Sequence, residues 1–222
     1  MNMKIKILIL LILLALALMN DEYDTGKFSI ARIHYQGGGD WYSDPSSLPN
    51  LLSFIKENTL IEIHDKEKQV KIGDNDFNLS SYLYITGHGN IKLSKKEIAT
   101  LRNHLLEGAF LHADDNYGMD KSFRKMVSEL FPEKKLVEIP HDHEIFHCYY
   151  KFPNGLPKIH EHDNKPPQAF GIFDNGKLIL LYTYETDLGD GWENHRVHNV
   201  PTEKRLDALK MGTNIVIYSL IN

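Results

Sequence analysis

The stretch GAFLHADDNYG places two adjacent aspartates, Asp114 and Asp115, directly after a short apolar run. Carboxylates at such a position can ligate a metal ion or serve as base or nucleophile in a hydrolase, which makes both candidate catalytic residues. The alternative is structural, with Asp115 or Asn116 capping the following helix and Asp114 ordering the turn. Because a helix N-terminus favours negative charge, we expect lowered carboxylate pKa values here, which suit ligand binding better than acid catalysis.

Two glycine-rich segments, GGGDWY and TGHG, add polar candidates. The backbone amides of GGGDWY could cradle an anion, with Gly38, Asp40 and Trp41 as candidate ligand-binding residues. Neither segment has the glycine spacing of a nucleotide-binding loop, and a flexible turn with Trp41 packed over the sheet end is the alternative. His88 is a third candidate catalytic residue, since a neutral imidazole can act as base or ligand, or can simply bond to its own loop.

The histidine-rich stretch HDHEIFH is the main candidate for a metal site. His141 and His143 lie on one face of an extended segment, and a carboxylate from the aspartate pair would complete two histidines and one carboxylate. The spacing is not one that diagnoses zinc, so a divalent metal remains one of two interpretations, beside ordinary surface histidines. His160 and His162 are weaker candidates in a polar loop.

The segment DLGDGW mixes carboxylates, glycines and an aromatic ring. Asp187 and Trp192 are candidate ligand-binding residues, because such loops can bind a cation or stack a sugar. The same composition is also ordinary turn chemistry, and it lacks the spacing of a calcium-binding EF-hand loop.

Composition limits the possible partners. The 222 residues carry a formal charge of -5, which argues against nucleic acid or anionic lipid as a main partner. Cys148 is the only cysteine, so the fold cannot depend on an internal disulfide.

The first twenty residues differ from the rest of the chain. Lys4 and Lys6 precede an apolar run at 7–19, which resembles a secretory signal peptide and is shorter than a spanning helix requires. We therefore expect a signal peptide at 1–20, or an uncleaved membrane anchor, and a periplasmic or secreted domain at 21–222. Membrane contact is expected only through an uncleaved N-terminal segment.

Apolar segments alternate with helix signals through the first half of the chain. Strands are predicted at 28–35, 60–64, 81–87 and 109–113, and helices at 48–58, from the capping box of Ser94 and Glu97 to Gly108, and around 123–130. This alternation implies a mostly parallel sheet covered by helices on both faces. Ligands bind beyond the carboxyl ends of such strands, so the loops after the first, third and fourth strands should converge.

The second half shows a weaker pattern. Residues 141–167 are predicted to form a long loop. In the first half, the polar stretch at 65–76 is predicted to form a hairpin or excursion. A hairpin turning at Asn175 and Gly176 follows, then a last helix at 202–211 that ends at Gly212, and a final buried strand over NIVIYSL.

Several blocks in this order resemble the bacterial family called domain of unknown function 4159. They are FSIARIHYQGGGDWYSDPSSLPNLL, YLYITGHGNIKLSKKEIATLRNHLLEGAFLHADD, LFPEKKLVEIPHDHEIF, DLGDGW and GTNIVIYSL. The resemblance implies a relation to the class I glutamine amidotransferase-like superfamily, with a flavodoxin-like, three-layer α/β sandwich. In true amidotransferases a cysteine nucleophile occupies the turn where Asp114 and Asp115 stand, and Cys148 lies too far downstream to match. Glutaminase activity is therefore not expected.

Two functions compete on these grounds. The first is an exported ligand-binding or scaffold domain of the cell envelope, with a small molecule, a glycan or an envelope protein as partner. The second is a metal-assisted hydrolase acting on an envelope glycan or peptide-like substrate, in which the aspartate pair, His88, His141 and His143 hold the water and the metal. Sugar binding through Trp41 and Trp192 is a third interpretation.

Overall fold

The structure, a computed structural model, describes residues 26–222. Its strands are β1 (Ala31–Ile33), β2 (Lys68–Val70), β3 (Tyr82–Gly87), β4 (Phe110–Asp115), β5 (Val137–Glu138), β6 (Gln168–Asp174) and β7 (Lys177–Tyr184). Its helices are α1 (Ser47–Asn58), α2 (Asn75–Asn78), α3 (Lys95–Leu106), α4 (Asp120–Leu130), α5 (Leu188–Trp192), α6 (His195–His198) and α7 (Thr202–Ile221), with a 3₁₀ turn at Glu144–Phe146.

The seven strands form one mixed, mostly parallel sheet in the order β2-β1-β3-β4-β7-β6-β5. β1, β2, β3, β4 and β7 run parallel to one another, and β6 is antiparallel to both β5 and β7. The parallel register sets the carboxyl ends of β3 and β4 side by side, with Gly87 opposite Asp115. The carboxyl ends of the parallel strands therefore form one edge of the sheet, where several loops meet.

Helices cover both faces of this sheet. Alternate residues of β3 point to opposite sides, so Tyr82 and Tyr84 join one apolar core, while Leu83 and Ile85 join the other. Helices α1 and α7 contribute to the first core, and α3 and α4 to the second. The predicted α/β class and mostly parallel sheet are confirmed.

Local sequence signals account for two of the elements. The capping box of Ser94 and Glu97 is present at the start of α3, where each side chain bonds to the other residue's backbone N–H. The β6–β7 hairpin turns at Asn175 and Gly176, both with positive φ, as a tight primed turn requires.

The prediction of a final strand is wrong, because α7 continues through Gly212 to Ile221. A Cβ at Gly212 would lie 2.6 Å from Leu51 Cδ1 and 2.9 Å from Trp192 Cζ2. The glycine therefore serves close helix packing and does not end the helix. The apolar run in NIVIYSL is consistent with either a buried strand or a buried helix, and periodicity alone does not separate the two.

The predictions around 60–76 also need correction. Within 60–64 only Ile63 pairs, in an isolated bridge with Phe28. The second strand instead comes from the polar stretch that was expected to form a hairpin: β2 pairs parallel with β1, and α2 follows it with Asp74 as its cap. Polar residues suit β2 because it is an edge strand, with one of its three side chains buried.

No helix within residues 26–222 combines the length and the apolar character needed to cross a membrane. The signal peptide predicted at 1–20 lies outside the described residues.

Candidate functional site

The aspartate pair forms the carboxyl end of β4, and both residues are buried. Asp114 Oδ2 accepts a hydrogen bond from Gly189 N at 2.7 Å, and Oδ1 accepts one from Thr183. Both oxygens of this carboxylate are therefore used by protein groups, and Asp114 holds the start of α5 against β4 and β7.

Asp115 has a local structural role. Its Oδ1 accepts from Tyr117 N and Met119 N at 3.0 and 3.1 Å, and its Oδ2 accepts from Tyr182 Oη at 2.9 Å. These bonds order the turn before α4. The prediction that Asp115 or Asn116 caps this helix is wrong, because its N-cap is Met119, whose side chain makes no capping bond.

The expected lowering of both carboxylate pKa values is wrong. Burial raises the pKa of Asp114 to about 7, and the charges of Asp44 and Asp190 add to that effect, against the bonds from Thr183 and Gly189. Burial also raises the pKa of Asp115. Desolvation of a carboxylate dominates here because neither group faces bulk water.

The two glycine-rich segments pack against each other, and they bring Asp40 and His88 together. His88 Nδ1 lies 3.0 Å from Asp40 Oδ2, and the His88 backbone N–H donates to the other carboxylate oxygen. A Cβ at Gly39 would lie 2.8 Å from the His88 carbonyl oxygen, so the close approach requires glycine. Gly38 faces open space, with a φ of +91°.

The two candidate tryptophans differ in position. Trp41 is half-buried and stacks on His34 with ring centroids 4.2 Å apart. Trp192 is fully buried, and its indole donates to the Ala208 carbonyl at 2.8 Å. Trp192 therefore belongs to the core beneath α5, where it has no surface to offer a sugar.

Asp187 is brought together with two histidines of the long loop. Its Oδ2 contacts His162 Nε2 and lies 3.9 Å from His160 Nδ1. The three side chains offer ligand atoms that all lie within 4.8 Å of one another. The Asp187 side chain is 1% exposed, and its Oδ1 is buried without a hydrogen-bond partner. Two imidazoles around one oxygen of a buried carboxylate, whose other oxygen has no hydrogen-bond partner, form a donor set of the kind that divalent metals take.

A second group of ligand atoms within 4.8 Å of one another comes from Asp44, Asp190 and His198. His198 Nε2 lies 3.3 Å from an oxygen of each aspartate. Asn116 donates to the other oxygen of Asp44, and it is held in turn by the Thr86 hydroxyl at 3.0 Å. This group therefore rests on the same sheet edge as the aspartate pair.

Burial raises the pKa of Asp187 to about 9, and nearby Asp114 and Asp190 add to the increase. Burial raises the pKa of Asp44 as well, with the charge of Asp190 next in size. The carboxylates lie close together and buried, so ionising all of them costs free energy through repulsion and desolvation. A cation among them would reduce that cost.

Left-handed backbone conformations mark the loops that carry two of these carboxylates. Asp44 has φ of 53° and Asp187 has φ of 56°, values that non-glycine residues rarely adopt. Asp44 follows β1, and Asp187 follows β7, so both lie beyond the carboxyl ends of parallel strands.

His141 and His143 lie apart from these groups. His143 Nδ1 accepts from Ile145 N and caps the 3₁₀ turn, and its ring packs 5.4 Å from that of Tyr218. His147 Nε2 bonds to the His141 carbonyl at 2.8 Å. Among residues 26–222, neither His141 nor His143 belongs to a group of three ligand atoms with metal-like spacing.

The sequence contained a signal for the histidines of the Asp187 group. His160 and His162 have the same H-x-H spacing as the favoured pair, and Asp187 and Asp190 are separated by one helical turn. What the sequence did not reveal is that the long loop returns to the sheet edge, where Ile159 N bonds to the Thr186 carbonyl at 3.0 Å.

The fold and the site together define the class of protein: a mixed α/β domain with a buried carboxylate–histidine cluster beyond the carboxyl ends of its parallel strands. The chain belongs to the family described as Domain of unknown function (DUF4159), whose model matches residues 29–220. No curated protein matches the sequence.

Proposed function

We propose that this protein is a metal-assisted hydrolase whose divalent metal is held by His160, His162 and Asp187. The observation that carries the proposal is the buried carboxylate of Asp187, whose Oδ2 lies beside the imidazoles of His160 and His162 and whose Oδ1 has no hydrogen-bond partner. The side chain of His160 is 44% exposed and that of His162 is 20% exposed, so the metal would face solvent on the histidine side. Catalytic metal sites have this arrangement, with three protein ligands and one open position.

A metal at this position would lower the pKa of a bound water to about 7 and polarise a substrate carbonyl. The reaction we propose is addition of that water to the carbonyl carbon of an ester or amide. The C–O or C–N bond then breaks, one water proton passes to the leaving group, and the hydroxyl remains on the acyl product. Asp114 acts through position, since it fixes the start of α5 and with it Asp187 and Asp190.

The proposed setting is the cell envelope, with a peptide-like or glycan substrate. Support comes from the basic and apolar pattern of the first twenty residues, which resembles a secretory signal. The net charge of -5 also favours a neutral or cationic partner over nucleic acid.

We also propose that the fold is a flavodoxin-like, class I glutamine amidotransferase-like sandwich that has lost its amidotransferase chemistry. The order of the parallel strands, β2-β1-β3-β4-β7, supports this. With β7 counted as the fifth parallel strand, it is the 2-1-3-4-5 order of flavodoxin-like sheets. Asp114 and Asp115 stand at the turn between β4 and α4, where that chemistry needs a thiol. Cys148 is remote from this turn, and burial raises its pKa to about 11.

A non-catalytic binding or scaffold domain is the second candidate, and a surface feature favours it. Leu60, Tyr149 and Leu220 are exposed beside a groove of about 820 Å³ between the end of α1 and the end of α7. Apolar patches of this kind mark sites of protein interaction, and an envelope protein would be the partner.

Elemental analysis of purified protein separates the two candidates. The hydrolase requires a transition metal in stoichiometric amount that falls at least about tenfold in His162→Ala. The matched control is His141→Ala, which removes a histidine outside the cluster and should keep the metal. An ester and amide substrate screen, with and without a chelator, then tests activity. Protein that takes up no Zn²⁺ or Mn²⁺ would eliminate the hydrolase and leave the binding domain.

A further inference from the structure

The two groups of ligand atoms are joined through one side chain. Asp190 Oδ2 lies 2.8 Å from His160 Nδ1, which belongs to the first group. Asp190 Oδ1 lies 3.3 Å from His198 Nε2, which belongs to the second. The two oxygens of a single carboxylate thus face histidines of different groups.

The charges of the cluster also call for more than one cation. Within the described part of the chain, the ion pairs that Asp44, Asp187 and Asp190 make are all with histidines. An imidazole that ligates a metal is neutral, so three ionised carboxylates here would have no other compensating charge, and such charges are costly to bury. One divalent ion would leave one negative charge unbalanced, whereas two would more than balance the three.

The histidines form the outer side of both groups. The side chain of His198 is 27% exposed, while those of Asp44 and Asp190 are 6% and 10% exposed. The first group therefore has one buried carboxylate and two imidazoles towards solvent, and the second has two buried carboxylates and one imidazole towards solvent. In both, the solvent side is open to a water or a substrate oxygen.

We propose that Asp190 is a bridging ligand between two divalent metal ions, one held by His160, His162 and Asp187, the other by Asp44 and His198. This inference rests on the proposed function, and it makes the reaction a two-metal hydrolysis. Paired ions about 3.5–4 Å apart can hold both the attacking water and the substrate oxygen. Mixed nitrogen and oxygen ligands suit Zn²⁺ and Mn²⁺.

The test is titration of the metal-free protein with Mn²⁺, read by calorimetry and by electron paramagnetic resonance. We expect two equivalents per chain and a spectrum of exchange-coupled Mn²⁺. His198→Ala should retain one equivalent with an uncoupled spectrum. Asp190→Asn should bind the second equivalent at least about tenfold more weakly and lose the coupling, because an amide does not bridge two ions as a carboxylate does.

Controls separate this inference from the function beneath it. Asp142→Asn changes an exposed aspartate outside the cluster and should leave both equivalents and the coupling intact. Thermal unfolding of the metal-free variants checks that each one folds. If the unsubstituted protein binds only one equivalent, which His162→Ala abolishes, or binds two equivalents without coupling, the bridge is overturned and the hydrolase is left standing. Absence of any bound Mn²⁺ or Zn²⁺ would overturn both.

Discussion

Burial shifts the pKa values of acidic and basic groups around the end of β4 in opposite directions. Desolvation raises the pKa of Asp114 to about 7, whereas it lowers the pKa of His112 to about 3. In both cases the low-dielectric interior favours the neutral form. His112 lies two residues before Asp114, and it bonds Tyr82 Oη and the Thr183 hydroxyl at 3.2 and 3.1 Å.

His112 should make the metal-free protein less stable in mild acid. The unfolded chain takes up a proton near pH 6.5 and the folded chain only near pH 3, so stability falls as the pH falls between these values. The slope is at most about 1.4 kcal/mol per pH unit. As the pH falls from 6.5 to 4.5, the free energy of unfolding of the unsubstituted protein should decrease relative to that of His112→Gln, as measured by denaturant titration.

The raised pKa values of Asp114 and Asp187 act with the opposite sign, because the folded state then binds more protons as the pH falls. The two carboxylates contribute equally in the unsubstituted protein and in His112→Gln. The difference between the two free energies of unfolding therefore reports the contribution of His112. Equal slopes in the two proteins would show that His112 titrates normally in the folded state.

Cys148 should be chemically inert in the folded protein. Its thiol lies 3.3 Å from the Asn214 carbonyl oxygen, and burial raises its pKa to about 11. At pH 8 the thiolate fraction would be about 0.001, so alkylation by iodoacetamide should be at least about a hundredfold slower than for a free cysteine. Labelling in denaturant is the control, and equal rates in both conditions would contradict the structure.

Residue types alone indicated Asp187 as a candidate but ranked its two histidine neighbours too low. Asp187 was identified because an acidic, glycine-rich segment after a hairpin is a typical ligand-binding loop. His160 and His162 were ranked below His141 and His143, although both pairs have the same spacing. The two pairs differ in their tertiary contacts, because His160 and His162 each lie against a buried carboxylate.

At the scale of elements, the close contact of α7 with α1 and α5 depends on Gly212. Ala normally stabilises a helix interior by about 0.5–1 kcal/mol relative to Gly. Here the added Cβ would lie 2.6 Å from Leu51 Cδ1. We expect Gly212→Ala to destabilise the protein by about 1–3 kcal/mol, because overpacking outweighs the gain in helix propensity.

The measurement is the free energy of unfolding from denaturant titration. Asp207→Ala, at an exposed position of the same helix, is the matched control and should change stability by less than about 0.5 kcal/mol. A stabilised Gly212→Ala would mean that α7 does not pack on α1 as described.

The elements that could be predicted are those with local signals. The α3 capping box and the β6–β7 turn residues specify their structures within a few positions of sequence. Sequence alone could not distinguish β2 from a polar excursion or the second half of α7 from a buried strand. β2 is determined by its pairing with β1, and the second half of α7 by its packing against α1.

At the scale of the whole molecule, metal binding should stabilise the fold. A ligand at about a hundred times its dissociation constant adds about 2.7 kcal/mol, which raises the melting temperature by roughly 5–10 °C for a chain of this length. We expect Zn²⁺ or Mn²⁺ to produce this shift in the chelator-treated protein. The same addition to His162→Ala should give a clearly smaller shift, and an equal one would place the stabilising ion elsewhere.

Anomalous diffraction from crystals grown with Zn²⁺ would show whether the cluster around Asp187 and Asp190 is a metal centre. We expect two anomalous peaks about 3.5–4 Å apart. One would lie among His160, His162 and Asp187, and the other between Asp44 and His198, with Asp190 touching both. A crystal grown with saturating Zn²⁺ that shows no peak at these residues, or peaks only at His141 and His143, would contradict it.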